Sequence, residues 1–107
     1  YPSGHPTLSW TYASILMALV PDRAAAVADR ARAFGESRAV CGVHWASDVE
    51  AGRVAASVVF AALNGNTAFR ADMAAAKKEI AALRRTAVKP GAASCAVSDA
   101  AAAKRPW

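Results

Sequence analysis

The stretch SRAVCGVHWASDVEAGRVAASVVFAAL, residues 37–63, joins a cluster of polar residues to a run with helical periodicity. Apolar or small residues recur in it at spacings of three and four positions: Val49, Gly52, Ala56, Val59, Phe60 and Leu63. This spacing is typical of a helix with one buried face, and it predicts a helix from Trp45 to Leu63. His44 directly precedes that helix, and Asp48 lies on its first turn.

The composition of the whole chain favours helices on both sides of this stretch. The 107 residues are 55% hydrophobic, and alanine supplies much of that fraction, whereas alternating β-branched runs are nearly absent. Alanine favours helices and buries little area per residue. We therefore expect a single all-α domain, a bundle of closely approaching helices. A chain this short buries only about two-thirds of its unfolded surface, so further chain or a homo-oligomer would add stability.

The residues before the central stretch predict two helices. Leu8–Val20 has helical periodicity and is followed by a proline that breaks it. Asp22 is a suitable N-cap for a second helix over Arg23–Phe34, and Gly35 is expected to end that helix. Residues 36–43 then form a connection that leads to His44.

The residues after the central stretch predict one more helix and a tail. Asn64-Gly65-Asn66 is a stop signal, and Thr67–Arg85 follows it as an amphipathic helix. Its inward side chains are expected to be Phe69, Met73, Ala76, Ile80 and Leu83. No amphipathic period continues after Thr86. We therefore expect residues 1–86 to form the domain and residues 87–107 a loose tail.

Charge and hydropathy exclude several functions. The net charge is +5, from 13 basic and 8 acidic residues, but the basic residues are spread over several helices instead of clustering with stacking aromatics. No nucleic-acid partner is therefore expected. No apolar run is long enough for a membrane span, and the opening residues do not have the pattern of a signal peptide. Cys41 and Cys95 do not have the spacing of a zinc site, and whether they form a disulfide stays open.

The residues that could take part in catalysis form two clusters. One is Pro2-Ser3-Gly4-His5, and the other is Ser37-Arg38 followed by His44 and Asp48. His44 and Asp48 are four positions apart, so on a helix that begins near Trp45 their side chains share a face and can meet. A carboxylate at one ring nitrogen fixes the imidazole tautomer and leaves the other nitrogen with a bare lone pair. This arrangement predicts that His44 is a nucleophile toward phosphorus and that Asp48 orients it.

The remaining residues of the two clusters can bind an oxyanion or transfer a proton. Arg38 has a planar fork that matches two phosphate oxygens, Ser37 can add a donor, and Gly4 lets its own N–H approach a ligand closely. His5, the only other histidine, can give a proton to the leaving alkoxide, which favours activity at mildly acidic pH. Phosphoryl transfer depends mainly on such fixed donors.

Pro2-Ser3-Gly4-His5 and the run from Ser37-Arg38 through His44 to Asp48 resemble known motifs. They are similar to P-S-G-H and S-R-x5-H-x3-D of the type 2 phosphatidic acid phosphatase superfamily, in particular of bacterial class A non-specific acid phosphatases. The resemblance covers about residues 1–85. It implies an all-helical bundle, a periplasmic or secreted protein, catalysis without a metal ion or cofactor, and a site that phosphate or vanadate can occupy.

The same resemblance assigns roles residue by residue. His44 would form a phosphohistidine, Asp48 would orient it, and His5 would protonate the leaving group of a phosphate monoester. The phosphate-binding residues would be Ser3, Gly4, Ser37 and Arg38.

The first motif of the family, K-x6-R-P, is absent from this sequence. Arg105-Pro106 matches its end only superficially, because Ser98 stands where the lysine would be. We therefore expect this chain to be the C-terminal half of the domain, completed by an N-terminal segment or separate chain that carries K-x6-R-P. A second departure is Pro6, where the family commonly has threonine.

Two other functions stay open from the sequence. A vanadium-dependent haloperoxidase shares the fold and the residue constellation, and peroxide-dependent halide oxidation would reveal it. A non-catalytic helical fragment would bind phosphate or vanadate without turnover. Transfer of the phosphoryl group to an alcohol is a variant of the phosphatase hypothesis. Arg53 either is a solvated helix residue, which we expect, or reaches the rim of the site. Trp10 and Tyr12 are expected to pack, and Trp45 either packs or forms a wall of the pocket.

Overall fold

The computed structural model describes residues 1–88 and 91–103, and every regular element within them is helical. The elements are α1 (Gly4–Leu19), a 3₁₀ turn (Pro21–Arg23), α2 (Ala24–Val40), α3 (Ala46–Asn64), α4 (Thr67–Thr86) and α5 (Ala92–Ala103). The prediction of an all-α architecture is confirmed.

The first helix begins at Gly4, earlier than the predicted Leu8. Ser3 precedes it in an extended conformation, with φ −64° and ψ 126°. Pro6 lies in the first turn, where its missing N–H has no intrahelical partner to lose. Gly4 and His5 are therefore the first residues of α1, and Ser3 is the residue that precedes the helix.

Gly35 lies inside α2, so the prediction that it ends a helix was wrong. It is buried, and a Cβ at this position would lie 3.3 Å from Cβ of Pro6 and 3.5 Å from Cγ1 of Val49. The missing side chain thus permits a close approach between helices. The chain turns instead at Gly42, whose φ of 70° is in the left-handed region that favours glycine.

Asp22 is not the N-cap of α2, because Arg23 occupies that position and makes no side-chain cap bond. The carboxylate of Asp22 instead accepts two hydrogen bonds from Arg84, at 3.0 and 3.1 Å. The hydrogen-bonded Arg84 guanidinium lowers the pKa of Asp22 from its usual value. This pair ties the end of α4 to the turn before α2.

The boundary between α3 and α4 confirms the predicted stop signal. Gly65 ends α3, and the side chain of Asn66 caps α4 by accepting a 3.0 Å hydrogen bond from the N–H of Phe69. Most of the predicted inner face of α4 is half-buried, but Leu83 is 54% exposed. The last turn of α4 contacts the turn before α2 through Arg84.

The tail contains a helix, so the expectation of a wholly loose tail was wrong. α5 spans Ala92–Ala103, where seven alanines and no glycine or proline give a high helix propensity even without an amphipathic pattern. Arg105-Pro106 lies outside the described residues. Cys41 is a free, exposed thiol, so it does not pair with Cys95 in this structure.

The core is made of small residues around α1, which packs against both α2 and α3. The buried apolar side chains of the described part include Pro6, Ala13, Ala31, Val49 and Ala56. At Gly52 a Cβ would lie 2.8 Å from the carbonyl oxygen of Ser3. The backbone of α3 therefore touches the start of α1, which brings the two predicted motifs together.

Candidate active site

A backbone hydrogen bond joins the two motifs. The N–H of Ser3 donates to the carbonyl oxygen of Asp48 at 3.0 Å, and the hydroxyl of Thr7 donates to the carbonyl oxygen of Ser3 at 2.7 Å. The residue before α1 is thus fixed on the first turn of α3. His5 and His44 are brought to the same end of the helices by this connection.

His44 and Asp48 form the predicted pair. Nδ1 of His44 lies 3.0 Å from Oδ2 of Asp48, and the two side chains are 25% and 15% exposed. The other carboxylate oxygen of Asp48, Oδ1, is buried and has no hydrogen-bond partner. With Nδ1 of His44 directed to the carboxylate, Nε2 is the ring nitrogen left for a substrate.

The backbone between α2 and α3 places His44 beside Arg38. The N–H groups of Val43 and His44 both donate to the carbonyl oxygen of Arg38, at 3.1 and 3.2 Å. The left-handed conformation of Gly42 allows the chain to fold back in this way. The nucleophile candidate and the guanidinium candidate are therefore fixed relative to each other by main-chain contacts.

The two histidines are neighbours. The ring centroids of His5 and His44 are 5.7 Å apart, with the rings at 67°. His5 also lies beside Phe34, at a centroid distance of 6.3 Å. A reacting group bound at His44 would therefore have a second imidazole within reach, as an acid or base requires.

Arg38 is held in place by its own neighbours. Its Nε and Nη2 donate to Oγ of Ser37 at 3.1 and 3.0 Å, and its guanidinium lies over the ring of Phe34 at 5.2 Å. The hydroxyl of Ser37 donates in turn to the carbonyl oxygen of Phe34 at 2.7 Å. In this structure Ser37 orients Arg38, and its hydroxyl would have to rotate to donate to a phosphate.

Ser3 and Gly4 differ in accessibility. Ser3 is only 1% exposed, and its Oγ is buried without a hydrogen-bond partner. Gly4 is exposed, and a Cβ there would meet nothing within 4 Å, so its surroundings are open. As the first residues of α1, Gly4 and His5 have N–H groups without intrahelical partners, at the positive end of the helix dipole.

Arg53 is a residue whose position was wrongly predicted. Its side chain is only 17% exposed, and its guanidinium donates to Glu50 and lies 3.9 Å from Glu36. Glu36 directly precedes Ser37, so Arg53 joins the site-bearing end of α2 to α3. The spacing of Glu50 and Arg53 could have suggested a local pair, but the contact with Glu36 depends on the tertiary fold.

The predicted aromatic packing residues are more exposed than expected. Trp45 is 80% exposed and Tyr12 is 63% exposed, whereas Trp10 is half-buried.

Within residues 1–88 and 91–103 no three His, Cys, Asp or Glu side chains gather in a group that could hold a metal ion. In the same residues no helix combines the length and hydropathy that a membrane span requires.

Comparison with known proteins identifies the family. Residues 1–70 match the PAP2 superfamily, and the chain belongs to that superfamily. It is 48% identical over 101 residues to an acid phosphatase of Zymomonas mobilis, a match that covers 94% of this chain and 38% of the relative. The resemblance to acid phosphatases is thereby confirmed.

Two further relatives have similar names. A non-specific acid phosphatase of Providencia stuartii is 39% identical over 85 residues, which cover 79% of this chain and 34% of the relative. A non-specific acid phosphatase of Salmonella typhi is 44% identical over 80 residues, with coverage of 75% and 32%. The chain thus spans about a third of the length of the curated relatives it matches. No solved structure matched the chain.

Proposed function

We propose that this chain supplies the nucleophile, its orienting carboxylate and the leaving-group acid of an acid phosphatase that hydrolyses phosphate monoesters without a metal ion. One observation carries the proposal: His44 lies 3.0 Å from Asp48, with the ring of His5 5.7 Å away. The acid phosphatases among the relatives support the same reaction class.

The first step forms a phosphohistidine. The Nδ1–H of His44 donates to Asp48, and the lone pair on Nε2 attacks phosphorus. The bond from Nε2 to phosphorus forms as the bond from phosphorus to the ester oxygen breaks. Protonated His5 gives its proton to that oxygen, so the alcohol leaves in neutral form. Imidazoles are partly protonated at mildly acidic pH, which suits an acid phosphatase.

The second step releases phosphate. Neutral His5 takes a proton from a water molecule whose oxygen attacks phosphorus, and the bond between phosphorus and Nε2 breaks. His44 recovers its lone pair, and inorganic phosphate departs. An alcohol in place of water would receive the phosphoryl group, so phosphotransferase activity requires no additional residue.

Four residues are the proposed phosphate-binding residues. Arg38 offers its guanidinium and Ser37 its hydroxyl, while Gly4 offers a main-chain N–H at the N-terminus of α1. Ser3 would have to expose its buried hydroxyl to bind phosphate, because its N–H already donates to Asp48 in this structure. These groups bind the equatorial oxygens that carry charge in the transition state. Phosphate or vanadate would occupy the same position.

Completion of the site requires more positive charge than Arg38 provides. A segment that carries K-x6-R-P, in the same polypeptide or a second one, would supply two further cations. The difference in length between this chain and its relatives is consistent with such a segment. A periplasmic or secreted location is also a prediction from the class A resemblance, and cell fractionation would test it.

The test uses two proteins: the chain alone, and a chimera in which the chain replaces the matched region of the Zymomonas mobilis acid phosphatase. Hydrolysis of p-nitrophenyl phosphate is measured at mildly acidic pH with chelator, for each protein and for its His44→Ala variant. We expect chelator-resistant turnover in the chimera, and a loss of roughly 10³-fold or more in the variant.

Three other outcomes would contradict parts of the proposal. Equal turnover with and without His44 would exclude it as the nucleophile. Bromide oxidation by peroxide and vanadate, without ester hydrolysis, would identify a haloperoxidase. Vanadate binding without turnover in the chimera would identify a non-catalytic binding protein. An inactive chain beside an active chimera would support the need for the additional segment.

A further inference from the structure

Phe34 lies beside two groups of the candidate site, although neither sequence motif includes it. The guanidinium of Arg38 lies over its ring, with Cζ 5.2 Å from the ring centroid. The ring of His5 lies at a centroid distance of 6.3 Å, tilted by 51°. One aromatic side chain is therefore next to both the proposed phosphate-binding cation of α2 and the proposed leaving-group acid of α1.

The contact with the ring leaves the N–H groups of Arg38 available to a ligand. A guanidinium within about 6 Å of an aromatic centroid is attracted to the face of the ring. Such a contact does not use the N–H groups at the edge of the guanidinium, whereas a carboxylate partner would occupy them. In the part of the chain that the structure describes, the ion pairs do not include Arg38.

The main chain of α2 also determines how Phe34 meets Arg38. The two residues are four positions apart on the helix, so their side chains share a face. The hydroxyl of Ser37 donates to the carbonyl oxygen of Phe34 at 2.7 Å, and its oxygen accepts from Nε and Nη2 of Arg38. Arg38 is therefore held by the ring of Phe34 and, through Ser37, by the backbone of the same residue.

Close packing of α1 against α2 determines where Phe34 lies relative to His5. Gly35, the next residue, is buried, and a Cβ there would lie 3.3 Å from Cβ of Pro6. Pro6 in turn directly follows His5 in α1. The residues that precede each side of this contact are therefore the two whose rings are neighbours, and both line the open groove between α1 and α2.

We propose that Phe34 is a positioning residue that orders the Arg38 guanidinium for an incoming phosphate group. This inference rests on the proposed function, because a phosphate monoester is the ligand that Arg38 is proposed to bind. A guanidinium that is ordered before binding loses less conformational freedom when phosphate arrives, and therefore binds it more tightly. The ring acts through Arg38 and makes no bond to the substrate.

The test measures the affinity of the chimera for inorganic phosphate by titration calorimetry. Phe34→Leu removes the ring and keeps an apolar side chain, whereas Phe34→Tyr keeps the ring. Phe60→Leu is the matched control, because the ring of Phe60 packs against Phe69 of α4 at 6.3 Å and not against the site. We expect Kd to rise about 3- to 30-fold in Phe34→Leu and to stay within about 2-fold of wild type in the other two variants.

A double-mutant cycle tests whether the ring acts through Arg38. In an Arg38→Ala background, Phe34→Leu should change the Kd for phosphate by no more than about 2-fold, because the guanidinium that the ring orders is gone. With Arg38 present, KM for p-nitrophenyl phosphate should rise together with Kd. A partly unfolded enzyme would instead lose apparent kcat at an unchanged KM.

Three results would overturn the assignment: an unchanged Kd in Phe34→Leu, an equal loss of affinity in Phe34→Tyr, or an equal effect of Phe34→Leu with and without Arg38. Turnover that depends on His44, together with any of these, would reject the positioning role and uphold the phosphatase. The expected changes in phosphate affinity in a chimera that hydrolyses no ester would uphold the positioning role and reject the phosphatase.

Discussion

Asp48 is the residue on which the proposed chemistry depends most closely. One carboxylate oxygen meets His44 at 3.0 Å, while the backbone carbonyl accepts from Ser3 at 3.0 Å. The same residue thus contacts the proposed nucleophile and fixes the start of α1. A carboxylate in this position also stabilises the cationic imidazole that forms on attack.

The Asp48→Asn variant should retain the fold and lose catalytic activity. An amide can donate to Nδ1 and so stabilise the tautomer in which Nε2 carries the proton. In the chimera we expect kcat to fall by about 10³-fold or more, with little change in KM. Asp72→Asn on the exposed surface of α4 is the control. A kcat within a few-fold of wild type would mean that Asp48 does not set the tautomer.

Gly52 is the residue that permits the contact between α3 and α1. A Cβ would lie 2.8 Å from the carbonyl oxygen of Ser3, closer than atoms can approach. Gly52→Ala should therefore lower the free energy of unfolding by about 1–3 kcal/mol, despite the better helix propensity of alanine. Denaturant unfolding measures this change, with Gly91→Ala as the control because a Cβ there meets nothing within 4 Å. Equal stability of the two variants would refute the contact.

At the scale of elements, Arg53 couples α2 to α3. Its side chain is 17% exposed, close to Glu36 and Glu50. Arg53→Ala should cost about 1.5–3 kcal/mol of unfolding free energy, because Glu50 loses a charge-assisted hydrogen bond and Glu36 loses a nearby cation. Arg32→Ala is the matched control, since Arg32 faces the same Glu36 at 4.0 Å from a 52% exposed position. A smaller loss for Arg53→Ala than for Arg32→Ala would contradict this coupling.

The pair of Asp22 and Arg84 connects α4 to the turn before α2. Because the Arg84 hydrogen bond lowers the pKa of Asp22, the pair stabilises the fold above the ordinary value of 3.8. Its contribution is lost as the pH falls through the lowered pKa. NMR titration of Arg84→Ala should show the pKa of Asp22 rising towards 3.8, and Arg85→Ala should leave it low. An unchanged pKa in Arg84→Ala would show that the pair does not persist in solution.

Local signals explain which elements could be predicted. The apolar period of α3 and the Asn64-Gly65-Asn66 stop signal depend on neighbouring residues, and the structure agrees with them closely. Gly35 was misjudged because a glycine that ends a helix and one that allows close packing look alike in sequence. Glycine is favoured at this position because Pro6, which is distant in the sequence, packs closely against it. Helix α5 was not predicted because its alanines favour a helix without producing an amphipathic period.

The candidate site shows the same difference between features that depend on neighbouring residues and features that depend on tertiary packing. The pairing of His44 with Asp48 followed from their spacing, and the structure places them in contact. The proximity of His5 to His44 depends on tertiary packing, and the sequence indicated it only through the family resemblance. The burial of Ser3 and the contact of Arg53 with Glu36 had no sequence signal. The first arises from how α1 and α3 meet, and the second from how α2 and α3 meet.

At the scale of the whole molecule, the candidate site lies where three helices meet. His5 lies in the first turn of α1, Arg38 lies near the end of α2, and Asp48 lies on the first turn of α3. The buried apolar side chains of the described part are few and small, and the α1–α2 face is open. The contact between His44 and Asp48 therefore lies where these helices meet, beside an open helical face.

The most direct test of the central claim is to trap the covalent intermediate in the chimera. The enzyme is mixed with ³²P-labelled p-nitrophenyl phosphate, quenched in alkali within milliseconds, and digested for mass spectrometry. We predict an alkali-stable, acid-labile phosphoryl group on His44, absent from His44→Ala and accumulating when His5 is replaced by an inert residue. Turnover with no phosphoryl group on His44, or with the label on another residue, would contradict the account.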